Sequence, residues 1–240
     1  MSEIDTSFAG AVSEVGVEVF SLEYAEPGVM KETGVLAGIY GAYTQVTGKR
    51  MLRASLSFGG GTVQYDGSLL DGTALQIDSQ DSLLAFRLLG GHATDLGSGI
   101  TAIPFSGFGY RLLIDRLPST SGYTREQTYL YVPIGVETAH NAGNWLWGVR
   151  AEYDFFIQGR NHSHGYQLDV NLIQNTGHGF QGSVYFTRRA KQERKYSLSI
   201  EPFFRYWNID RSEVVNQGSN FWYEPANNTS IYGLRGSILF

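Results

Sequence analysis

The chain has 240 residues, with 30 Gly, 15 Tyr, 14 Phe and 4 Trp, only 6 Pro, no Cys, and a formal net charge of −5. That length suits one or two domains; without cysteine there is no disulfide or thiol chemistry, and an acidic chain with no basic block gives no support to nucleic-acid binding. Mean hydropathy is −0.18, which argues against helical membrane spans but not against a barrel, whose apolar and polar residues alternate and cancel in any window.

The opening MSEIDTSFAG lacks the basic start and apolar core of a signal peptide. A barrel needs export, so the expectation is a mature chain behind an added initiator, Met1. Alternating segments bounded by turn residues then follow one another along the chain. The first strand is read at 12–25 (EVGVEVFSLEY) and the second at 34–46. TGKR turns into the third, 51–65, which carries Gly59, Gly60 and Gly61. An Asp-, Gly- and Ser-rich loop leads to the fourth, 83–95, and LGSG to the fifth, 100–115, with Gly107 and Gly109. PSTSGYTRE precedes the sixth, 127–139, and HNAGN the seventh, 145–159. A long segment, 160–178, includes YQLDVNLIQ, which is read as an extension of that hairpin and not as an eleventh span. The eighth is 179–190, KQER turns, the ninth is 195–209, and the tenth is 229–240.

Short connections alternate with longer ones at 26–33, 66–82, 116–126, 160–178 and 210–228. Short turns on one rim and long loops on the other are the habit of outer-membrane barrels. The fold expected is therefore all-β: a ten-stranded antiparallel transmembrane barrel, one domain over 1–240, with short periplasmic turns and longer extracellular loops. An even strand number puts both termini on the periplasmic side.

Successive strand side chains point to opposite faces. In the tenth strand Tyr232, Leu234, Ile238 and Phe240 share one face, and Arg235 lies on the other. The same split repeats along the chain. Charges gather on one face: Glu18, Arg53, Arg87, Arg111, Asp115, Glu137, Arg150, Glu152, Asp154, Glu201, Arg205 and Arg235. A soluble barrel shows the reverse. An Arg or Lys facing lipid costs about 2–4 kcal/mol at the midplane, whereas charges of both signs facing inward can pair. Arg111, Arg150, Arg205 and Arg235 are expected to pair with Asp115, Glu152, Asp154 and Glu201. Such a network either closes the lumen or lines a narrow selective pore.

The terminal YGLRGSILF, with alternating apolar and aromatic places and a final Phe240, resembles the ending of bacterial outer-membrane β-barrel proteins. YAEPGVMKETG, GFGYRLLID, EYDFF and YEPANNTS also resemble stretches of such barrels. The resemblance implies the outer membrane of a Gram-negative bacterium, contact with lipopolysaccharide and phospholipid, and reading of the Phe240 strand by the barrel-assembly machinery. The strand count is similar to that of omptin proteases and Opc-type barrels. The omptin likeness implies acidic and histidine residues of the outer loops around an activated water. Here those are Asp71, Asp78 and Asp81 in one loop and His162, His164 and Asp169 in another, but the family's Asp–His pair is not visible as a motif and its paired Asp residues are spaced differently.

His162, Ser163 and His164 read as a solvated polar turn; metal binding, or a lipid-active Ser–His pair, is the sharper alternative. Trp145 and Trp147 suit membrane-interface anchors. The outer loops offer better binding candidates: Tyr24 and Glu26 in the first, and Phe221, Trp222, Tyr223 and Glu224 in the fifth. The first and tenth strands must meet to close the barrel, so these loops should be neighbours. They form either a recognition patch or local packing over the mouth. The expected function is a non-enzymatic structural or adhesion-type surface barrel with a charge-paired, largely plugged interior and an unidentified extracellular ligand. A narrow ion or small-solute channel is the alternative, and a loop-sited hydrolase a third reading. No cofactor, metal or nucleic acid is expected.

Overall fold

The computed structural model describes residues 10–68, 72–118, 122–165, 168–190, 196–217 and 220–240. Its strands are β1 (Gly10–Glu26), β2 (Met30–Thr47), β3 (Arg50–Ser68), β4 (Ala74–His92), β5 (Thr94–Gly97), β6 (Ile100–Arg116) and β7 (Tyr123–Ala142). They continue with β8 (Trp145–Gly165), β9 (Leu168–Gln174), β10 (Gly177–Arg188), β11 (Ser197–Ile209), β12 (Val215–Gln217), β13 (Asn220–Trp222) and β14 (Asn227–Leu239). Ten of them (β1–β4, β6–β8, β10, β11 and β14) pair antiparallel in a closed ring. β1 meets β14 at the seam, where Glu18 stands opposite Arg235. β5 adds to the edge of β6. β9 pairs with the outer end of β8, so Leu168–Gln174 extends a hairpin. β12 and β13 form a small separate hairpin in the last outer connection.

The outward face between the rims is apolar. Val15, Val17 and Val19 on β1, Leu52, Leu56 and Phe58 on β3, and Leu234 and Ile238 on β14 are all exposed. No soluble fold leaves such a belt open to water while burying arginines; a bilayer around it resolves the inversion. A spanning strand needs about 9–11 residues, yet β7 has 20 and β8 has 21. The surplus stands above the belt at the outer end. There the outward face turns polar: Lys31 pairs with Glu23 at 2.9 Å, and Gln80 Nε2 donates to Thr62 Oγ1 at 2.8 Å.

Much of the outer connecting sequence is therefore strand. The segment expected as a loop at 66–82 supplies the end of β3 and the start of β4. The loop expected at 26–33 is a tight turn, in which Val29 N donates to Glu26 O at 2.9 Å. Pro27 sets the first central position, and Gly28 takes φ of 78° at the second, where a side chain would be strained. Turn residues mark such a connection well, but paired strands rising clear of the membrane carry polar residues on their outward face and read as loop.

A bulge decides the outer face of β8. Leu130 opposes Gln158 while Tyr131 opposes Phe156, so one extra residue sits in β8. Ile157 and Gln158 both face outward. Below the bulge the even-numbered residues Glu152 and Asp154 point inward; above it the odd-numbered Gly159 and Asn161 do.

Candidate functional sites in the lumen and the crown

The inner face is layered. All twelve charges taken as inward-facing in the sequence lie on it. The periplasmic half holds a balanced network. Arg235 reaches Glu18 at 3.0 Å and Glu201 at 2.8 Å. Arg150 reaches Glu201 at 3.2 Å and Glu137 at 3.0 Å. Arg53 holds Glu137 at 2.6 Å, Arg205 lies 3.6 Å from Glu18, and Arg87 pairs with Glu152. Arg235 also stacks on Tyr40, 3.5 Å from the ring centre. Gln181 Nε2 donates to Asp154 at 2.8 Å. The pairing differs from expectation for Arg205, whose carboxylate is Glu18, and for Arg111, which meets no carboxylate among the described residues: it lies over the Tyr129 ring at 4.8 Å and approaches Thr229 Oγ1 at 3.4 Å. Its strand neighbour Asp115 pairs elsewhere.

An apolar layer crosses the lumen next. Phe20, Leu22, Leu36, Leu83, Leu113, Phe203 and Ile231 pack together, beside a second cluster of Tyr129, Tyr131, Trp207 and Ile209. Gly109 makes room for it: a Cβ there would stand 2.1 Å from the Tyr131 ring. A cavity of about 60 Å³ lies between Arg87, Arg205, Arg235, Tyr131 and Trp207. A larger hollow, about 380 Å³, opens at the periplasmic end beside Val12, Glu14 and Phe240 and stops at Arg53, Glu137 and Arg150.

The third layer lies in the crown, and its centre, Arg125, was not anticipated. Arg125 Nη2 reaches Asp115 at 3.2 Å and Glu32 at 3.3 Å; Nη1 contacts Glu26 and lies 3.9 Å from Glu224. Asp81 stands opposite Asp115 across β4 and β6. Ser79 Oγ donates to Asp115 at 2.6 Å, and both oxygens of Asp81 are without a donor among the described residues. Burial, then the neighbouring Asp115, pushes the Asp81 carboxyl up to about 8. Burial and then Glu26 push Glu224 up to about 8 as well, and burial raises Glu32.

This layer corrects the reading of Tyr24, Glu26 and Glu224 as exposed recognition residues: all three are buried. Tyr24 Oη donates to Glu26 at 2.8 Å and approaches Glu224 at 3.4 Å, while Gln127 Nε2 donates to Tyr24 Oη at 2.7 Å. The first and last outer connections do meet, but inside the mouth, because β1 keeps its inward alternation as far as Glu26. Phe221 and Tyr223, at 73% and 50% exposed, face solvent. Trp222 packs against Val170 and Leu172 of β9.

The loop residues considered for hydrolysis are dispersed. Asp71 lies outside the described residues. Asp78 is exposed on the outward face of β4, and Asp81 is buried inside. The bulge in β8 puts His162 and His164 on the outward face and Ser163 on the inward one, where its Oγ donates to Asn161 at 3.0 Å. Neither histidine can therefore activate Ser163. These three residues lie in a strand, not a turn. Trp145 and Trp147 are exposed in the outward row at the periplasmic end, the level at which amphipathic rings settle.

Arg125 and Glu32 were legible in principle. Arg125, Gln127, Tyr129 and Tyr131 alternate without a break, as do Met30, Glu32 and Leu36; starting the sixth and second strands a few residues earlier would have included both.

No protein-family model matches the chain, and no curated protein matches it by sequence. Among solved structures it is similar to the outer membrane protease OmpT from Escherichia coli, with a TM-score of 0.72 at 10% identity over 99% of this chain and 98% of that one. The chain has the fold of an outer-membrane β-barrel. Weaker likenesses are to the translocator domain of the autotransporter NalP from Neisseria meningitidis (TM-score 0.48, 10% identity, 96% of this chain and 89% of that one) and to Ail of Yersinia pestis, solved with the heparin analogue sucrose octasulfate (TM-score 0.40, 9% identity, 96% and 99%). At such identities the likeness concerns the fold, and these barrels include a protease and an attachment protein.

Proposed function

We propose that this barrel is a closed, non-enzymatic surface protein whose extracellular crown binds a ligand. The observation that carries the reading is the interior: a balanced ion-pair layer and an apolar layer lie across the lumen, and the cavity between Arg87, Arg235 and Trp207 is about 60 Å³. Dismantling desolvated ion pairs to pass a solute leaves charges unpartnered, so a water path is disfavoured. Function then falls to the crown. Its exposed aromatics, Phe221 and Tyr223, ride on a segment anchored by Trp222 on β9 and by Ser212, whose N donates to Glu224 O at 3.0 Å. Aromatic side chains on a fixed platform bind at low entropic cost. Lipid along the outward belt and the assembly machinery at the β14 strand, whose outward row runs Tyr232, Leu234, Ile238 and Phe240, are the proposed partners in the membrane.

Adhesion of cells displaying the barrel to immobilised glycans and matrix proteins tests this reading. A Phe221→Ser/Tyr223→Ser variant, displayed at equal density, should lose the adhesion that the wild type shows. Adhesion unchanged in the variant, or absent from the wild type across the panel, rejects it.

A further inference from the structure

The β8 bulge creates a second feature in the crown, away from the lumen and from the aromatic platform. Glu126 on β7 stands directly opposite His162 on β8. His164 stands directly opposite Asp169 on β9. All four residues point outward, so three adjacent strands present two imidazoles and two carboxylates on one patch. His162 Nε2 lies 2.8 Å from Asp169 Oδ1, and His164 Nε2 lies 3.3 Å from Glu126 Oε1. The two imidazole rings are 4.7 Å apart, centre to centre. One ligand atom from each of Glu126, His162 and His164 falls within 4.8 Å of the others.

We propose that this patch binds a divalent transition metal of the Zn²⁺ class, with His162, His164 and Glu126 as ligands and Asp169 as fourth ligand or as orienting partner of His162. Metal–N and metal–O bonds of about 2.0–2.1 Å in a tetrahedron put neighbouring ligand atoms roughly 3.3 Å apart, the separation His164 and Glu126 already have. Histidines two apart on a strand share a face and need no rearrangement of the backbone to converge. Mixed imidazole and carboxylate donors suit zinc, nickel or copper in preference to calcium or magnesium. The ligands are accessible: the side chains of His162, His164 and Glu126 are between 27% and 41% exposed. Arg160, two residues before His162 on the same face, is engaged with Asn171 Oδ1 through Nε at 2.8 Å and Nη2 at 2.6 Å. A bound ion would tie β7, β8 and β9 together. The inward side of β9 carries Val170 and Leu172, on which Trp222 rests, so the ion would also stiffen the support of the aromatic platform.

The test is calorimetric titration of ZnCl₂ into refolded, tag-free protein in detergent micelles, with CaCl₂ as the comparison. The wild type should take up one equivalent of zinc and show no calcium response. His162→Asn and His164→Asn should each weaken binding by about tenfold or more, while Asp81→Asn, in the buried acidic layer, should leave it unchanged. Heat-modifiable migration on gels checks that each variant has folded. As a second readout, zinc should raise the thermal midpoint of the wild type and leave that of the two histidine variants unmoved. No zinc uptake by the folded wild type, uptake unaffected by either histidine, or uptake lost in Asp81→Asn instead would overturn the proposal.

Discussion

Two charged layers share one lumen and are balanced in opposite ways. In the periplasmic half five arginines, Arg53, Arg87, Arg150, Arg205 and Arg235, meet four carboxylates in salt bridges, with Asp154 beside them. In the crown Glu26, Glu32, Asp81, Asp115 and Glu224 surround one arginine, Arg125. The first layer is neutral by formal count and sits at the level of the membrane, its periplasmic side bordering the hollow at Arg53 and Arg150. The second carries excess negative charge above the membrane, where protons can compensate it. The same residue types thus make a charge-matched layer in one place and a titratable mouth in the other.

The largest effects should come from breaking the neutral layer. Arg235→Ala leaves Glu18 and Glu201 buried without their bidentate partner, and should cost about 3–5 kcal/mol in urea unfolding from bilayers. Adding Glu18→Gln should restore part of that loss, because one stranded charge is removed with it.

Arg125→Gln should also destabilise strongly, but with a pH dependence that Arg235→Ala lacks. Near pH 8 the crown carboxylates repel without the Arg125 guanidinium; near pH 5 protonation of those with raised pKa relieves the repulsion. A loss of equal size at both pH values would contradict the contrast between the layers.

Asp81→Asn should act in the other direction. The folded pKa of Asp81 is raised to about 8. From an unfolded value near 4 up to about 8 the folded protein therefore holds a proton that the unfolded chain has released. Stability falls as pH climbs through that window, by up to about 1.4 kcal/mol per pH unit for each such proton. Asn cannot ionise, so the variant should be more stable than the wild type near pH 8 and show a flatter profile. Unfolding midpoints measured from about pH 5 to about pH 8.5 check this; a wild type that gains stability across that range would refute the assignment.

The smallest change in stability belongs to the platform. Phe221→Ala and Tyr223→Ala remove side chains that touch mainly solvent, and should alter the unfolding free energy by no more than about 0.5 kcal/mol. Any loss of ligand binding in these variants is then a loss of contact surface and not of fold.

Most of the barrel was legible because its two faces differ in kind. Alternation places Val17 outward and Glu18 inward without further information, and the even count of spans follows from turns such as TGKR and HNAGN. The crown was less legible for two physical reasons. Once strands clear the membrane their outward residues become polar, so Lys31, Gln80 and Thr124 look like loop. And a single bulge at Ile157 and Gln158 reverses the parity of everything beyond it in β8. Counting alternate residues from Glu152 and Asp154 would put His162 and His164 into the mouth; the bulge puts Asn161 and Ser163 there instead. Nothing in the local sequence announces that inversion, because both Ile157 and Gln158 are acceptable on an outward face. Pairing partners were harder still: that Arg205 meets Glu18 while Arg111 meets Tyr129 depends on strand register across the lumen, and alternation carries no register.

The central claim is that the lumen is closed by the neutral layer. Single-channel recording of the refolded protein in a planar bilayer, with insertion verified on the same sample, tests it most directly. The wild type should be silent, and Arg150→Ser/Arg235→Ser, which removes two of the bridging side chains, should show conductance if it folds. Stable, reproducible steps from the wild type itself would mean that water threads the ion pairs, and the barrel would then be a channel.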